Sequence, residues 1–257
     1  MTSTAAASLS DTPAEQLVFV TAVSRLDVLQ QHLYASPCLK NKRRRLIAHF
    51  NAGSAAEAFN TTLEGLCRDA EAASTWLVWV HQDVMLPADW DQQFLLRLRE
   101  AQQRLPQLAV AGVYGVAGPK GQGSRAGHVL DRGNLLRETA PLPCAVDSLD
   151  ELVVAVRVDS GLHMDAAMGF DFYATDLVLQ AQARGLQAAV VDAYCEHWSD
   201  TPLGTSIPHA LAERILRNGR AFEAKWSHRF PVETSWLALR APGDVERFIA
   251  TLHQQAP

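Results

Sequence analysis

The chain is sparing with the residues that would force a special chemistry on it. Four cysteines, Cys38, Cys67, Cys144 and Cys195, stand far apart among 257 residues, and no two form a CxxC pair. A disulfide framework and a four-thiolate metal site are therefore excluded as organising principles, and reduced thiols in a cytoplasmic compartment are expected. No apolar run reaches the roughly 18 residues of a membrane-spanning helix. Charge of one sign is also scarce: charged residues make up 20% of the chain and the formal net charge is -5, so neither a nucleic-acid nor an anionic-membrane partner is expected. The one basic run, Lys40 to Arg45, is short and precedes a strand; it reads as a solvated loop, with a phosphate patch as the alternative. No GxGxxG sits between a strand and a helix, and GPKGQGS, Gly118 to Ser124, lacks the spacing of a P-loop.

What the chain has in quantity is apolar patterning, with 48% hydrophobic residues, enough for one large domain. Residues 1–14 are small and polar and read as a disordered lead without the features of a signal peptide. LVFVTAV, Leu17 to Val23, is a continuous apolar run and predicts a strand buried on both faces. Ser24 and Asp27 predict a capped helix through Leu33. RRLIAHF, Arg44 to Phe50, is the next strand, and Ser54 with Glu57 caps a helix to about Cys67. TWLVWVHQDV, from Thr75, is a third strand, Trp90 to Arg104 an amphipathic helix, and Leu108 to Ala117 a fourth strand. Gly118 to Gly133, rich in glycine and basic residues, predicts a mobile loop and a short strand. Val146 to Asp159 is a turn and strand, and Phe170 to Gly185 a helix with Asp176 in its first turn. A last strand leaves at Glu196, His197 and Trp198. Helices are expected from Pro208 to Lys225 and from Gly243 to Gln254.

This alternation implies a three-layer α/β fold with a mainly parallel central sheet and right-handed crossovers. Residues 15–257 form one domain, with a first half at about 15–117, a second at about 118–205 and a helical tail at 206–257. Ligands of such sheets sit beyond the C-terminal ends of the strands. Those ends carry Ser24 and Arg25, Asn51, and His81-Gln82-Asp83. Residues two apart on a strand share a side, so His81 and Asp83 are expected to converge. Carboxylate with imidazole suits a divalent ion (Mn2+ or Mg2+) beside a diphosphate, and His197 offers a further ligand. Asp176 can act as a proton acceptor for an alcohol. Each residue also has a plain structural role open to it: a polar strand exit for His81 and Asp83, a dipole-favoured first-turn acid for Asp176, a packed histidine for His197, and a turn cap for Asp150 or Asp171. His163-Met-Asp165 repeats the His-x-Asp spacing in an irregular segment.

Several stretches, in order, resemble the family-2-like bacterial glycosyltransferases of the A-type fold, in a subgroup with His-Gln-Asp where the wider family has Asp-x-Asp. They are WVHQDVMLP around His81 to Asp83, AEAFN at Ala56 to Asn60, GVYG at Gly112 to Gly115, LDE at Leu149 to Glu151, AVR at Ala155 to Arg157, FDFYATDLVLQAQARG at Phe170 to Gly185, and His197-Trp198-Ser199. The resemblance covers about Leu17 to Ser199. It implies transfer of a sugar from a nucleotide-diphosphate donor to a glycan or other hydroxyl acceptor, with inversion, as in surface polysaccharide biosynthesis. Asp83 would then hold the metal and diphosphate, His81 would replace the first aspartate, and His197 would be the distal ligand. Asp176 would be the base, with Asp171 its rival. Ser24, Arg25, Asn51 and Gln82 would border the nucleotide, and the Gly118 to Gly133 loop would close over it. One carboxylate fewer than Asp-x-Asp weakens magnesium binding and favours manganese, or no metal. A nucleotidyltransferase would need a glycine-rich signature that TAVSRLD, Thr21 to Asp27, does not supply. A binding-only relative of the same fold stays open, as does a homo-oligomer.

Overall fold

The computed structural model describes residues 15–40, 44–69, 71–118, 123–199 and 207–254. The expected lead at 1–14 and the basic residues 41–43 lie outside them. Strands β1 (Gln16–Val23), β2 (Arg45–Phe50) and β3 (Thr75–Val80) precede β4 (Val84–Met85), β5 (Leu108–Gly112), β6 (Tyr114–Ala117), β7 (Ser124–Asp131) and β8 (Asn134–Arg137). They are followed by β9 (Cys144–Ala145), β10 (Ser148–Leu149), β11 (Val153–Arg157), β12 (Gln187–Val190), β13 (Cys195–His197), β14 (Val232–Glu233) and β15 (Ala238–Leu239). The helices are α1 (Leu26–Gln31), α2 (Pro37–Lys40), α3 (Ala55–Leu66), α4 (Trp90–Arg104), α5 (Tyr173–Ala183), α6 (His209–Trp226) and α7 (Asp244–Gln254).

The central sheet has seven strands in the order β2-β1-β3-β11-β5-β12-β9. It is mixed: β11 runs against both β3 and β5, and β9 runs against β12. The α/β expectation holds, with β2, β1, β3, β5 and β12 in one direction, but the two opposed strands make the sheet mixed. The cause is the hairpin-like return of the chain after β10, which inserts β11 between β3 and β5 from the opposite direction. Apolar runs without alternation bury both faces of the inner strands. Leu17 and Phe19 of β1, and Trp76 and Val78 of β3, join one core with α1 and α4. Val18 and Val20, with Leu77 and Trp79, join the other core with α3, α5, α6 and α7. Burying so much apolar side chain, at about 1.5–3 kcal/mol each, is the main stabilising term.

Ser54 caps α3 as expected, accepting from the Glu57 amide at 3.0 Å, while the Glu57 carboxylate takes the Gly53 amide at 2.6 Å. The Ser24 cap does not form. The amides of Ser24 and Arg25 instead donate to the Gln82 side-chain oxygen, each at 3.1 Å, and α1 begins uncapped after Arg25. Pro37, expected to end a region, opens α2.

Two predicted strands are each broken. The run at 108–117 leaves the central sheet at Val113, and the run at 187–197 leaves it after Val190, so that β6 and β13 join a second sheet in the order β10-β6-β7-β13-β4, with β8 on β7. The short strand expected within Gly118 to Gly133 is present as the eight-residue β7, Ser124–Asp131, of that sheet; residues 119–122, where the loop was expected, lie outside the described ones. Gly127 makes the pairing with β6 possible: its φ is 127°, and a Cβ there would meet the Val113 carbonyl at 2.3 Å. Among the described residues no helix is long and apolar enough to cross a membrane.

Candidate functional site

β3 ends at Val80, so His81, Gln82 and Asp83 are not strand residues as the sequence suggested. They form a turn, closed by the Val84 amide on the His81 carbonyl at 3.2 Å, and the turn leads into β4. The turn still brings the two side chains together. The Gln82 side chain bonds the Ser24 hydroxyl at 2.9 Å as well as the two amides, so it pins the exit of β1 to the exit of β3. The Trp198 amide holds the Asp83 carbonyl at 2.9 Å.

His197 arrives from the second sheet. Register pairs it with Val84 on one side and with Asp131 of β7 on the other. Its Nε2 lies 3.4 Å from Asp83 Oδ1 and its Nδ1 lies 2.8 Å from Asp131 Oδ1. One ligand atom each from His81, Asp83 and His197 fall within 4.8 Å of one another.

The outer partners fix which ring nitrogen faces the centre. The Tyr173 hydroxyl has one proton, and the Glu151 carbonyl can take it at 3.1 Å. Its oxygen then accepts from Trp79 Nε1 at 2.9 Å and from His81 Nε2 at 2.7 Å. His81 therefore presents a lone pair at Nδ1, the atom 3.9 Å from Asp83 Oδ1. Asp131 takes Nδ1–H of His197, so Nε2 is the nitrogen that faces the centre, where its own proton is shared with Asp83 and would leave on metal binding. A histidine anchored through its second nitrogen by a carboxylate or other oxygen acceptor is the usual setting of a metal ligand. One carboxylate and two imidazoles fit manganese or another borderline divalent ion better than magnesium, which prefers oxygens.

The electrostatics agree with strong local coupling. Burial raises the Asp83 carboxyl, but the hydrogen bond from His197 and the two imidazoles outweigh it and bring it down to about 2. Burial lowers His197, and hydrogen bonds to Asp131 and Asp83 overcome this and lift it to about 9. Burial holds His81 below its ordinary value.

This centre borders a cavity of about 330 Å³ at the ends of β1 and β3, lined also by Ser24, Asn51, Phe170 and Arg214. Asn51 has a φ of 56°, a conformation asparagine tolerates better than most residues, and its amide bonds the Val23 carbonyl. Arg25, beside the cavity, forms an ion pair with Asp27 at 2.6 Å.

The two expected bases are placed elsewhere. Asp176 is fully buried; its Oδ1 accepts from Trp226 Nε1 and Lys225 Nζ, each at 2.7 Å, and its Oδ2 from Gln180 at 2.6 Å. It anchors α6 to α5 and does not line the cavity. Asp171 is engaged through both oxygens, by Arg214 at 3.0 and 3.1 Å and by Asn218 at 2.7 Å. It aims the Arg214 guanidinium. His163 and Asp165 form no centre: the ring bonds the Gly161 carbonyl at 3.1 Å, and Asp165 takes the Ala167 amide at 2.9 Å and Lys225 at 2.7 Å.

Sequence reasoning missed Asp131, Tyr173 and Arg214. It also gave Asp150 only a turn role and Glu151 none. Asp150 lies close enough to influence both His81 and His197. Burial, with Asp171 and Asp150 nearby, holds the Glu151 carboxyl well above the usual carboxylate range.

No protein-family model matches the chain. A protein described as ATP synthase subunits region ORF 6, from Fuscovulum blasticum, is 28% identical over 157 residues, which is 60% of this chain and 63% of that protein. The matched region thus spans less than two thirds of that relative. Among solved structures, A197 from STIV is similar over 72% of this chain and 86% of its own, at 13% identity and a TM-score of 0.43, a likeness too loose to carry an argument.

Proposed function

We propose that the cavity binds a nucleotide-diphosphate sugar with a divalent cation, and that the protein transfers the sugar to a hydroxyl acceptor. The observation that carries this reading is the convergence of His81, Asp83 and His197, the two histidines each oriented by an outer partner, at the C-terminal strand ends. A cation held there would neutralise the diphosphate as it leaves. Arg214, aimed by Asp171, offers a second positive group to the same phosphates. Ser24 and Asn51 border the far end, where the nucleoside fits. The resemblance of HQD, LDE and HWS to the family-2-like glycosyltransferases supports the same assignment.

The carboxylate that serves as base is Asp150 rather than Asp176 or Asp171. It lines a cavity that His197 also lines, and burial holds its neighbour Glu151 well above the usual carboxylate range. A second reading, a nucleotide-sugar-binding protein without transferase activity, is favoured by the commitment of both Asp171 and Asp176 to structural bonds.

Calorimetric titration of UDP, GDP and dTDP, with and without manganese, tests the site. The expected result is binding of one nucleotide that needs manganese and is lost in Asp83→Ala. Folded protein that binds none of them would overturn the reading. Manganese-dependent hydrolysis of the matching labelled nucleotide sugar separates the transferase from the binding protein.

A further inference from the structure

A second cavity, of about 390 Å³, lies on the other side of His197. Asp131 and His197 line it, whereas His81 and Asp83 line the first. The candidate metal centre is thus the wall between two chambers. The second chamber has a floor from β6, β7 and β8 and a lid from the C-terminal hairpin β14–β15.

That hairpin is built to present one side chain. Its tip is closed by the Thr234 amide on the Leu237 carbonyl at 2.8 Å and by the Leu237 amide on the Thr234 hydroxyl at 2.9 Å. Arg125 holds the Ser235 carbonyl at 2.9 Å, and the Ser235 hydroxyl donates to Asp150. Between these ties sits Trp236, 37% exposed, with its ring against Phe172 and Phe248 at centroid distances of 5.1 and 5.5 Å. A large aromatic ring kept partly open on a fastened turn costs apolar exposure, and holding it rigid suits a ligand that stacks on it.

The polar groups around it select the ligand class. Glu138, whose carboxylate takes the Tyr114 hydroxyl, and Asp150 both line the chamber. Each carboxylate oxygen can accept more than one hydrogen bond, so both retain capacity for further donors. Arg125 and Arg132 add hydrogen-bond donors on the same walls. An acyl chain would cover the carboxylates and guanidinium groups of those walls without a hydrogen bond, and a phosphate would meet three carboxylates. A ring that carries several hydroxyls and one apolar face satisfies both kinds of wall.

Building on the proposed transferase reading, we infer that this chamber binds the acceptor, and that the acceptor is a carbohydrate whose ring stacks on Trp236 while its hydroxyls donate to Glu138 and Asp150. One hydroxyl would then face the candidate metal centre across His197 and Asp150.

The test is saturation-transfer NMR on the full chain with a panel of methyl glycosides (glucoside, galactoside, mannoside and N-acetylglucosaminide), each with and without UDP and magnesium. Transfer to the ring protons of at least one glycoside is expected. It should weaken about tenfold in Trp236→Ala, a loss near 1.4 kcal/mol, and be largely kept in Trp236→Phe. Glycoside transfer recorded without nucleotide reads this chamber alone, so failure of the metal-diphosphate reading shows separately, as absent nucleotide binding with glycoside binding intact. No transfer from any glycoside, or equal transfer in Trp236→Ala, would overturn the inference. So would a Trp236→Ala loss confined to UDP-glucose relative to UDP, because the ring on Trp236 would then be the donor's own.

Discussion

Tyr173 and Asp176 stand one helical turn apart on α5 and do opposite things. Tyr173 reaches into the site, where its hydroxyl orients His81. Asp176 turns away into the core beneath α6 and is saturated by Trp226, Lys225 and Gln180. Asp83, by contrast, faces two imidazoles whose remaining nitrogens are already engaged elsewhere. The lesson is that a carboxylate in the right place in the sequence is not thereby in the site. What separates Asp83 from Asp176 is whether its partners are themselves oriented toward an opening.

The contrast can be broken at either end. Asp176→Ala should have the largest effect, because it leaves the Lys225 ammonium and the Trp226 N–H without their buried partner. A loss of about 3–5 kcal/mol is expected, read as a fall in the denaturation midpoint; an unchanged midpoint together with lost turnover would return Asp176 to the role of base. Asp83→Ala should act first on the site, with manganese affinity down by more than about 100-fold, beyond what loss of an outer partner costs, and with a smaller fall in stability, because His197 keeps Asp131. Asp131→Ala, which removes the acceptor that orients His197, should reduce manganese affinity by about 10–100-fold, measured by calorimetry. Ser54→Ala, at the α3 cap far from both clusters, should cost only about 1 kcal/mol of stability and leave metal binding as it was. That makes it the control that separates general loosening from damage to the site.

The long apolar runs made β1, β3, α3, α4, α5 and α6 legible, because each buries a face wide enough to set its own period. The breaks at Val113 and after Val190 were not legible, because both segments stay buried across the switch from one sheet to the other. Direction was hidden for a related reason: β11 reads as any buried strand, and only its partners make it antiparallel. In the site, His81, Asp83 and His197 stood out at strand exits. Asp131 did not, since the short strand expected in its stretch had no visible partner, and its tie to His197 depends on pairing across 66 positions. Arg214 gave no signal at all. It sits on an amphipathic helix whose period points to core packing, and only the docking of α6 turns it toward the cavity.

The last described stretch of the chain, from α6 onward, supplies a wall to each chamber: Arg214 to one, Ser235 and Trp236 to the other. The central sheet is complete before that stretch is synthesised, since its final strand β12 ends at Val190. A nascent chain can therefore assemble its scaffold while the site is still open on two sides. The two chambers close only with that final segment, so a chain truncated near residue 207 should lack both walls and, without α6 and α7, part of the core as well.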